Sequence, residues 1–206
     1  MNDFFAALRQ YWYLALLLVA AIIVTLWVMT KAAQASQRAH AAREEHMKKL
    51  EYEMGVMKEF SSLSVEKLKG ADKKRAFDGV AMNIQKNLEK RSDMDAAFSE
   101  LSDAQKKIYA LYYLADDSRN GLSEFFKCNS APLTPVALSA ARGLLPADAL
   151  TAFEAEYHAY DPENEDASLV ADEIALWDEK YAETMKDFDF YSACVDMIIK
   201  NLTDFS

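Results

Sequence analysis

Apolar residues follow two different patterns along this chain. Residues 11–29, YWYLALLLVAAIIVTLWVM, form an unbroken apolar run without a charge. Further along, apolar residues recur every three or four positions, as in Phe77, Val80, Ile84 and Leu88. The first pattern is typical of a membrane-spanning helix, and the second of helices with one buried face. No stretch alternates at every second residue as half-buried strands do, so we expect an all-α protein.

The apolar run has the length of a single transmembrane helix. Its 19 residues would extend about 28 Å as a helix, close to the roughly 30 Å of a hydrocarbon core. Trp12 and Trp27 stand near its two ends, where aromatic side chains are enriched at membrane interfaces. The alternative is a cleaved signal peptide, because Ala33-Gln34-Ala35 offers small residues for cleavage. Signal peptides, however, have a shorter apolar stretch.

Positive charge around the run predicts its orientation. Five basic residues lie within the 20 positions after it, whereas only Arg9 and the amino terminus are positive before it. Basic residues are retained on the cytoplasmic side of a membrane. We therefore expect the C-terminal part to be cytoplasmic, and two cysteines far apart fit such a reducing compartment.

The residues after the run indicate a helical stalk with one apolar stripe. Met47, Leu50, Met54 and Met57 recur at spacings of three and four. Such a stripe can pack on the chain's own domain, pair with a second copy in a homo-oligomer, or lie on the membrane. We accordingly divide the chain into an N-terminal tail (1–10), a transmembrane helix (11–29), a helical stalk (30–68) and a compact, acidic multi-helix domain (69–206).

Local capping signals predict helix ends within this domain. Ser102 followed by Gln105 is a capping box, and the helix that it opens should run over about residues 103–117. Thr134 before Pro135 predicts the start of a later helix, with proline at the first helical position.

An Asn-Gly pair interrupts the helical pattern in the middle of the domain. Asn120-Gly121 predicts a turn or helix end with positive φ, a conformation that glycine adopts without a Cβ penalty. Leu122, Phe125 and Phe126 then resume the helical spacing. Both phenylalanines are therefore predicted to be buried.

The sequence around this pair resembles the signature of a known family. Residues 118–144, SRNGLSEFFKCNSAPLTPVALSAARGL, are similar to the signature of a bacterial helical family of mostly unknown function, which includes an acidic DNA-mimic protein. That signature has Asn-Gly-Gly-Phe, a glutamine, an aromatic pair and an amphipathic helix. The later stretch IALWDEKYAETMKDFDFYSACVDMIIKN is similar to the closing helices of the family. The resemblance covers about residues 98–201.

The match to this signature is partial. Arg119 replaces its asparagine, Asn120 its first glycine and Leu122 its phenylalanine. The resemblance implies an all-helical bacterial domain without known catalytic residues. Together with the predicted transmembrane helix and its orientation, this leads us to expect a single-pass protein of the inner membrane with its C-terminal domain in the cytoplasm. The family positions in this chain are Asn120, Gly121, Leu122, Glu124, Phe125 and Phe126.

Acidic residues are concentrated in the last third of the chain. The net charge is −10, but residues 144–206 hold 16 acidic residues and three lysines, a net of −13, while residues 1–143 carry +3. Direct nucleic-acid binding requires a basic face, so this distribution argues against it. The acidic surface is either merely solvated or attracts a basic protein. The candidate interaction residues are Asp161, Glu163, Glu165, Asp166, Asp172 and Glu173.

Motifs for catalysis or cofactor binding are not found in the sequence. It contains no Gly-rich phosphate loop, HExxH, CxxC or G-x-S-x-G. The stretch DPENEDAS lacks the glycine and glutamate of a calcium loop. We therefore expect no cofactor and no metal. An enzyme would have to use adjacent acidic pairs such as Asp172/Glu173 or Asp178/Glu179, which point in different directions on a helix.

These observations favour a membrane-anchored interaction module. Its acidic C-terminal surface is expected to bind a basic protein, and the resemblance implies that this could be a DNA-binding protein. The alternatives are a structural protein of envelope assembly that works through its stalk, and an enzyme with an unrecognised acidic site.

Overall fold

A computed structural model of the protein describes residues 2–160 and 171–205, and within these ranges it contains helices and no strand. The all-α prediction is thereby confirmed. One-turn 3-10 helices cover Ser118–Asn120 and Leu202–Phe205. The α-helices are α1 (Asn2–Glu59), α2 (Val65–Gly70), α3 (Lys73–Glu89), α4 (Met94–Glu100), α5 (Asp103–Asp117), α6 (Leu122–Cys128), α7 (Leu133–Leu144), α8 (Ala147–Ala159), α9 (Ala171–Lys186) and α10 (Phe190–Lys200).

The first helix contains the apolar run of the sequence. From Leu16 onward α1 is long and apolar enough to cross a membrane, with a mean hydropathy of 2.2 in its most apolar window, and none of that window is buried within the protein. Leu17 and Leu18 are each 64% exposed, and Trp27 is 62% exposed. The side chain of Trp12 lies outside the described part of the chain.

The compact helical unit begins earlier than the sequence indicates. It extends from Glu53 to Ser206, whereas the predicted stalk reaches residue 68. Val56 and Phe60, at the end of α1, are fully buried. Phe60 lies so close to α3 that a Cβ on Gly79 would stand 2.5 Å from its ring. The last turn of α1 is thus part of the domain core, and the predicted boundary at residue 69 is too late.

Most of the predicted apolar stripe does not enter this core. Met47 and Met54 are more than half exposed, Leu50 is also exposed, and Met57 is partly buried. Val56 and Phe60 are four positions apart and so share a different side of the chain from Leu50 and Met54. A helical stripe shows which residues share a face, but it does not show where along the helix the next element begins to cover it.

The fifth helix occupies the centre of the compact unit. It packs against α3, α6, α7 and α10, while α8 pairs with α9. Its predicted capping box is confirmed: the Ser102 hydroxyl accepts from the Gln105 N–H at 3.2 Å, and the Gln105 side chain accepts from the Ser102 N–H at 3.0 Å. The predicted Thr134 cap is wrong. The helix α7 already begins at Leu133, and the Ser130 carbonyl accepts from both first-turn N–H groups.

Candidate functional site

Gly121 forms a sharp turn between the 3-10 helix and α6. Its φ is 137°, a conformation that favours glycine, so the predicted positive φ is confirmed. A Cβ at this position would also stand 2.8 Å from both carboxylate oxygens of Asp178. Glycine is therefore required here for its backbone conformation and for the space that Asp178 occupies.

Asp178 of α9 lies beside this turn and accepts a hydrogen bond from a backbone N–H at the start of α6. Its Oδ1 accepts from the Ser123 backbone N–H and its Oδ2 from the Ser123 hydroxyl, both at 2.8 Å. The first N–H groups of a helix have no partner within the helix, and Gly121 has no side chain that could cap them. A carboxylate 55 residues away in sequence thus replaces the usual local cap.

Glu156 of α8 places a second carboxyl group beside Asp178. It is completely buried, and neither of its oxygens meets an N–H or O–H donor among the described residues. Burial is the largest cause that raises the pKa of Glu156, and the nearby Asp178 carboxylate adds to the rise, so that the pKa is about 8. At neutral pH Glu156 is therefore protonated and neutral beside Asp178.

One cation near the pair opposes this effect. Lys127 of α6 lowers the pKa of Glu156, but less than burial and Asp178 raise it. Its Nζ lies 2.8 Å from the Glu124 carboxylate, and the side chains of both residues are substantially exposed. Lys127 thus forms its ion pair with Glu124 at the surface, which is consistent with a neutral Glu156 in the interior.

This carboxyl pair differs from the pairs considered in the sequence. The sequence offers Asp178 and its neighbour Glu179 as an acidic pair, but in the structure Asp178 lies beside Glu156, 22 positions earlier, and Glu179 is exposed. A signal for Glu156 was visible in the sequence. It shares an apolar face of α8 with Ala149, Ala152 and Phe153, where a glutamate is unexpected.

The geometry of the pair points to a role in the fold. Both oxygens of Asp178 already accept hydrogen bonds from Ser123, and Glu156 is completely buried. A carboxyl with a raised pKa can serve as a general acid or base only where it reaches a substrate. We therefore assign the pair to the closure of α6 against α8 and α9.

A cavity of about 490 Å³ opens beside the Gly121 turn. Its walls are mostly apolar and come from α5, α6, α9 and α10. Charged and polar groups, including Asp178 and Glu179, stand among the lining residues. Glu156 does not line this cavity. The apolar lining residues are Ala115, Leu122, Tyr181, Ala182, Met185, Phe190 and Tyr191.

The outer surface of α9 is acidic. Asp172, Leu176, Glu179 and Glu183 recur at spacings of four, three and four, and all are exposed. Leu176 is 62% exposed. We call these four residues and Glu173, which is also exposed, the α9 acidic face. Its four carboxylates form no ion pair within the described residues, whereas the nearby Lys180 lies 3.3 Å from Asp148.

Two of the predicted interaction residues, Asp172 and Glu173, belong to this face. The other four, Asp161, Glu163, Glu165 and Asp166, lie outside the described residues. The density of acidic residues along the chain does not indicate Glu179 and Glu183 as interaction residues, although the helical period of 3.6 places them on the same side of α9 as Asp172.

The adjacent aromatic residues Phe125 and Phe126 lie in the core, as predicted. Phe125 is fully buried and Phe126 is 6% exposed. The Phe126 ring stacks on Tyr160, with ring centroids 5.8 Å apart, and meets Phe153 edge-on at 5.1 Å. The signature segment therefore builds the junction of α6 with α8, and no catalytic geometry is found around it in the described residues.

Comparisons with models of protein families, with curated proteins and with solved structures found no match for this chain. Among the described residues, no group of three or more His, Cys, Asp or Glu side chains is arranged to hold a metal ion. What the protein binds must therefore be inferred from the chemistry of its own surfaces.

Proposed function

We propose that this protein is a membrane-anchored interaction module whose acidic helical surface binds a basic protein. The observation that carries the proposal is the α9 acidic face. There, four exposed carboxylates, which form no ion pair with any residue that the structure describes, share one helix with the exposed Leu176. Carboxylates on successive turns of one helix repel one another, at a cost of a few tenths of a kcal/mol per pair. A partner with Lys or Arg side chains would remove this repulsion and cover Leu176.

The charge of the face also restricts the type of partner. Phosphate groups of nucleic acids or of anionic lipids would be repelled by Asp172, Glu173, Glu179 and Glu183. A basic protein is attracted, and such attraction mainly increases the association rate and the selectivity. The resemblance of residues 98–201 to a family with a DNA-mimic member is consistent with a DNA-binding protein as this partner.

The anchor of the module is α1. Its apolar residues, such as Leu17 and Trp27, are exposed in the protein itself, and a hydrocarbon environment would bury them. The basic residues that follow favour a cytoplasmic domain. In the bacterium that the resemblance implies, these two features support a location in the inner membrane with the compact domain in the cytoplasm.

Site-specific photocrosslinking in cells tests the acidic face. A photoreactive residue at Leu176 should form an adduct with a protein rich in Lys and Arg. The same residue at Asn87, which is exposed on α3, should not form this adduct. Reversing Asp172, Glu179 and Glu183 to Lys should abolish the adduct at Leu176. An adduct that survives the charge reversal, or that forms equally at Asn87, would contradict the proposal.

A reporter fusion tests the orientation independently. An enzyme that is active only outside the cytoplasm should be inactive when fused after Ser206. A reporter that requires the cytoplasm should be active there. The opposite pair of results would place the domain on the outer side and would contradict the orientation inferred from the basic residues after α1's apolar run.

A further inference from the structure

We infer that the cavity beside the α9 acidic face receives one large apolar side chain from the basic partner. This inference rests on the proposed function and defines the partner more closely. The partner would be a cationic protein segment in which an aromatic or aliphatic anchor stands among Lys and Arg residues.

The cavity walls suit an apolar anchor. Leu122, Tyr181 and Phe190 are buried core residues, so they form walls that are already in place. Met185 and Tyr191 line the cavity and are packed against the core. The volume of about 490 Å³ falls within the roughly 300–1,000 Å³ that is typical of preformed binding sites. The cavity therefore has room for a bulky aromatic ring, with some space left beside it.

The charges at the cavity favour a cationic segment around that anchor. Asp178 and Glu179 are both among the lining residues. Arg119 also lines the cavity, but its guanidinium lies 2.5 Å from the Asp116 carboxylate, so its charge is matched. Glu183 follows one turn after Glu179 on the exposed side of α9. An anionic or phosphorylated ligand would therefore be repelled from this opening.

A single residue connects the cavity to the acidic face. Glu179 belongs to both, and Ala182, three residues later, lines the cavity with an exposed small side chain. A side chain that entered over Ala182 would bring its sequence neighbours against Glu179 and Glu183. Binding energy at protein interfaces is often concentrated in one buried aromatic anchor within a polar rim, and this arrangement has both parts.

The test uses the full chain in detergent and a defined probe. The probe is a short Lys/Arg-rich peptide with one central tryptophan and a fluorescent label, and its affinity is measured by anisotropy. One companion peptide has serine in place of the tryptophan. A second companion keeps the tryptophan but has glutamine in place of every basic residue. We expect both companions to bind at least about tenfold more weakly than the probe.

Two matched variants test whether the anchor enters this cavity. Ala182→Trp fills the cavity without changing charge, and we expect it to weaken binding of the probe by about tenfold or more. Ala175→Trp adds the same side chain seven residues earlier, on the same side of α9, at an exposed position that does not line the cavity. It should leave the affinity within about twofold of wild type, a difference of less than about half a kcal/mol.

The outcomes separate this inference from the proposed function. Suppose the probe and its serine companion bind equally, with an affinity that falls at high salt, and Ala182→Trp has no effect. The acidic face would then bind cations, but the anchor inference would be overturned. Equal binding of the uncharged tryptophan peptide would show a purely apolar site and would also overturn it. Absence of binding by all three peptides would overturn it as well.

Discussion

Replacing Glu156 with glutamine should change how the stability of the domain depends on pH. The substitution keeps the size of the side chain. It removes the proton that Glu156 gains or loses. The comparison therefore isolates the protonation of one buried group from the many other carboxyls of this acidic protein.

The expected effect follows from proton linkage. The pKa of Glu156 is about 8 in the folded protein, against an ordinary value of 4.5. Because this folded-state pKa is raised, the stabilisation from Glu156 is fully present below pH 4.5. This stabilisation is lost as the pH rises from 4.5 toward 8, because the unfolded chain releases its proton over this range while the folded protein still holds it. The free energy of unfolding should fall by about 1.4 kcal/mol per pH unit over this window, on the order of 3–5 kcal/mol in total.

Urea unfolding of the full chain in detergent, repeated between pH 4.5 and 8.5, measures this dependence. The fluorescence of Trp177, which packs partly buried against the core, can report the transition. Relative to wild type, the Glu156→Gln variant should gain stability as the pH rises. Glu154→Gln is the control, because Glu154 lies on the same helix but at the surface, where its carboxylate meets Arg142 at 2.8 Å. A stability difference between wild type and Glu156→Gln that stays constant with pH would refute the raised pKa of Glu156.

Four further substitutions test the packing, each by urea unfolding. Gly121→Ala should destabilise the domain by at least about 1–3 kcal/mol through backbone strain. The contact of the new Cβ with Asp178 would add to this cost. Gly143→Ala, in open space within α7, should be neutral or stabilise by roughly 0.5–1 kcal/mol, and equal losses at both glycines would contradict this account. Phe126→Ala should cost about 3–5 kcal/mol, and a loss near zero would mean that its ring is not in the core. Gly79→Ala should destabilise by about 1–3 kcal/mol because its Cβ would overlap Phe60, and an unchanged midpoint would show that the end of α1 does not dock there.

The sequence by itself determined the local features of this protein. The helical class, the capping box at Ser102 and the positive φ at Gly121 all depend on residues within one or two turns of each other. A continuous apolar run is equally local, and it predicted a helix of membrane-spanning length. The burial of Phe125 followed from its spacing relative to Leu122, because positions three apart share a helix face.

Only the tertiary structure decided which distant groups meet. Glu156, Ser123 and Asp178 come from three helices, and the hydrophobic pattern of each helix says only that it has a buried side. The early start of the domain has the same origin. Phe60 packs on α3 at Gly79, where the lack of a side chain leaves room for its ring. The cavity beside Gly121 likewise exists because three separate segments leave space between them. Packing of one helix on another depends on the shapes of both surfaces, which the period of a single segment does not contain.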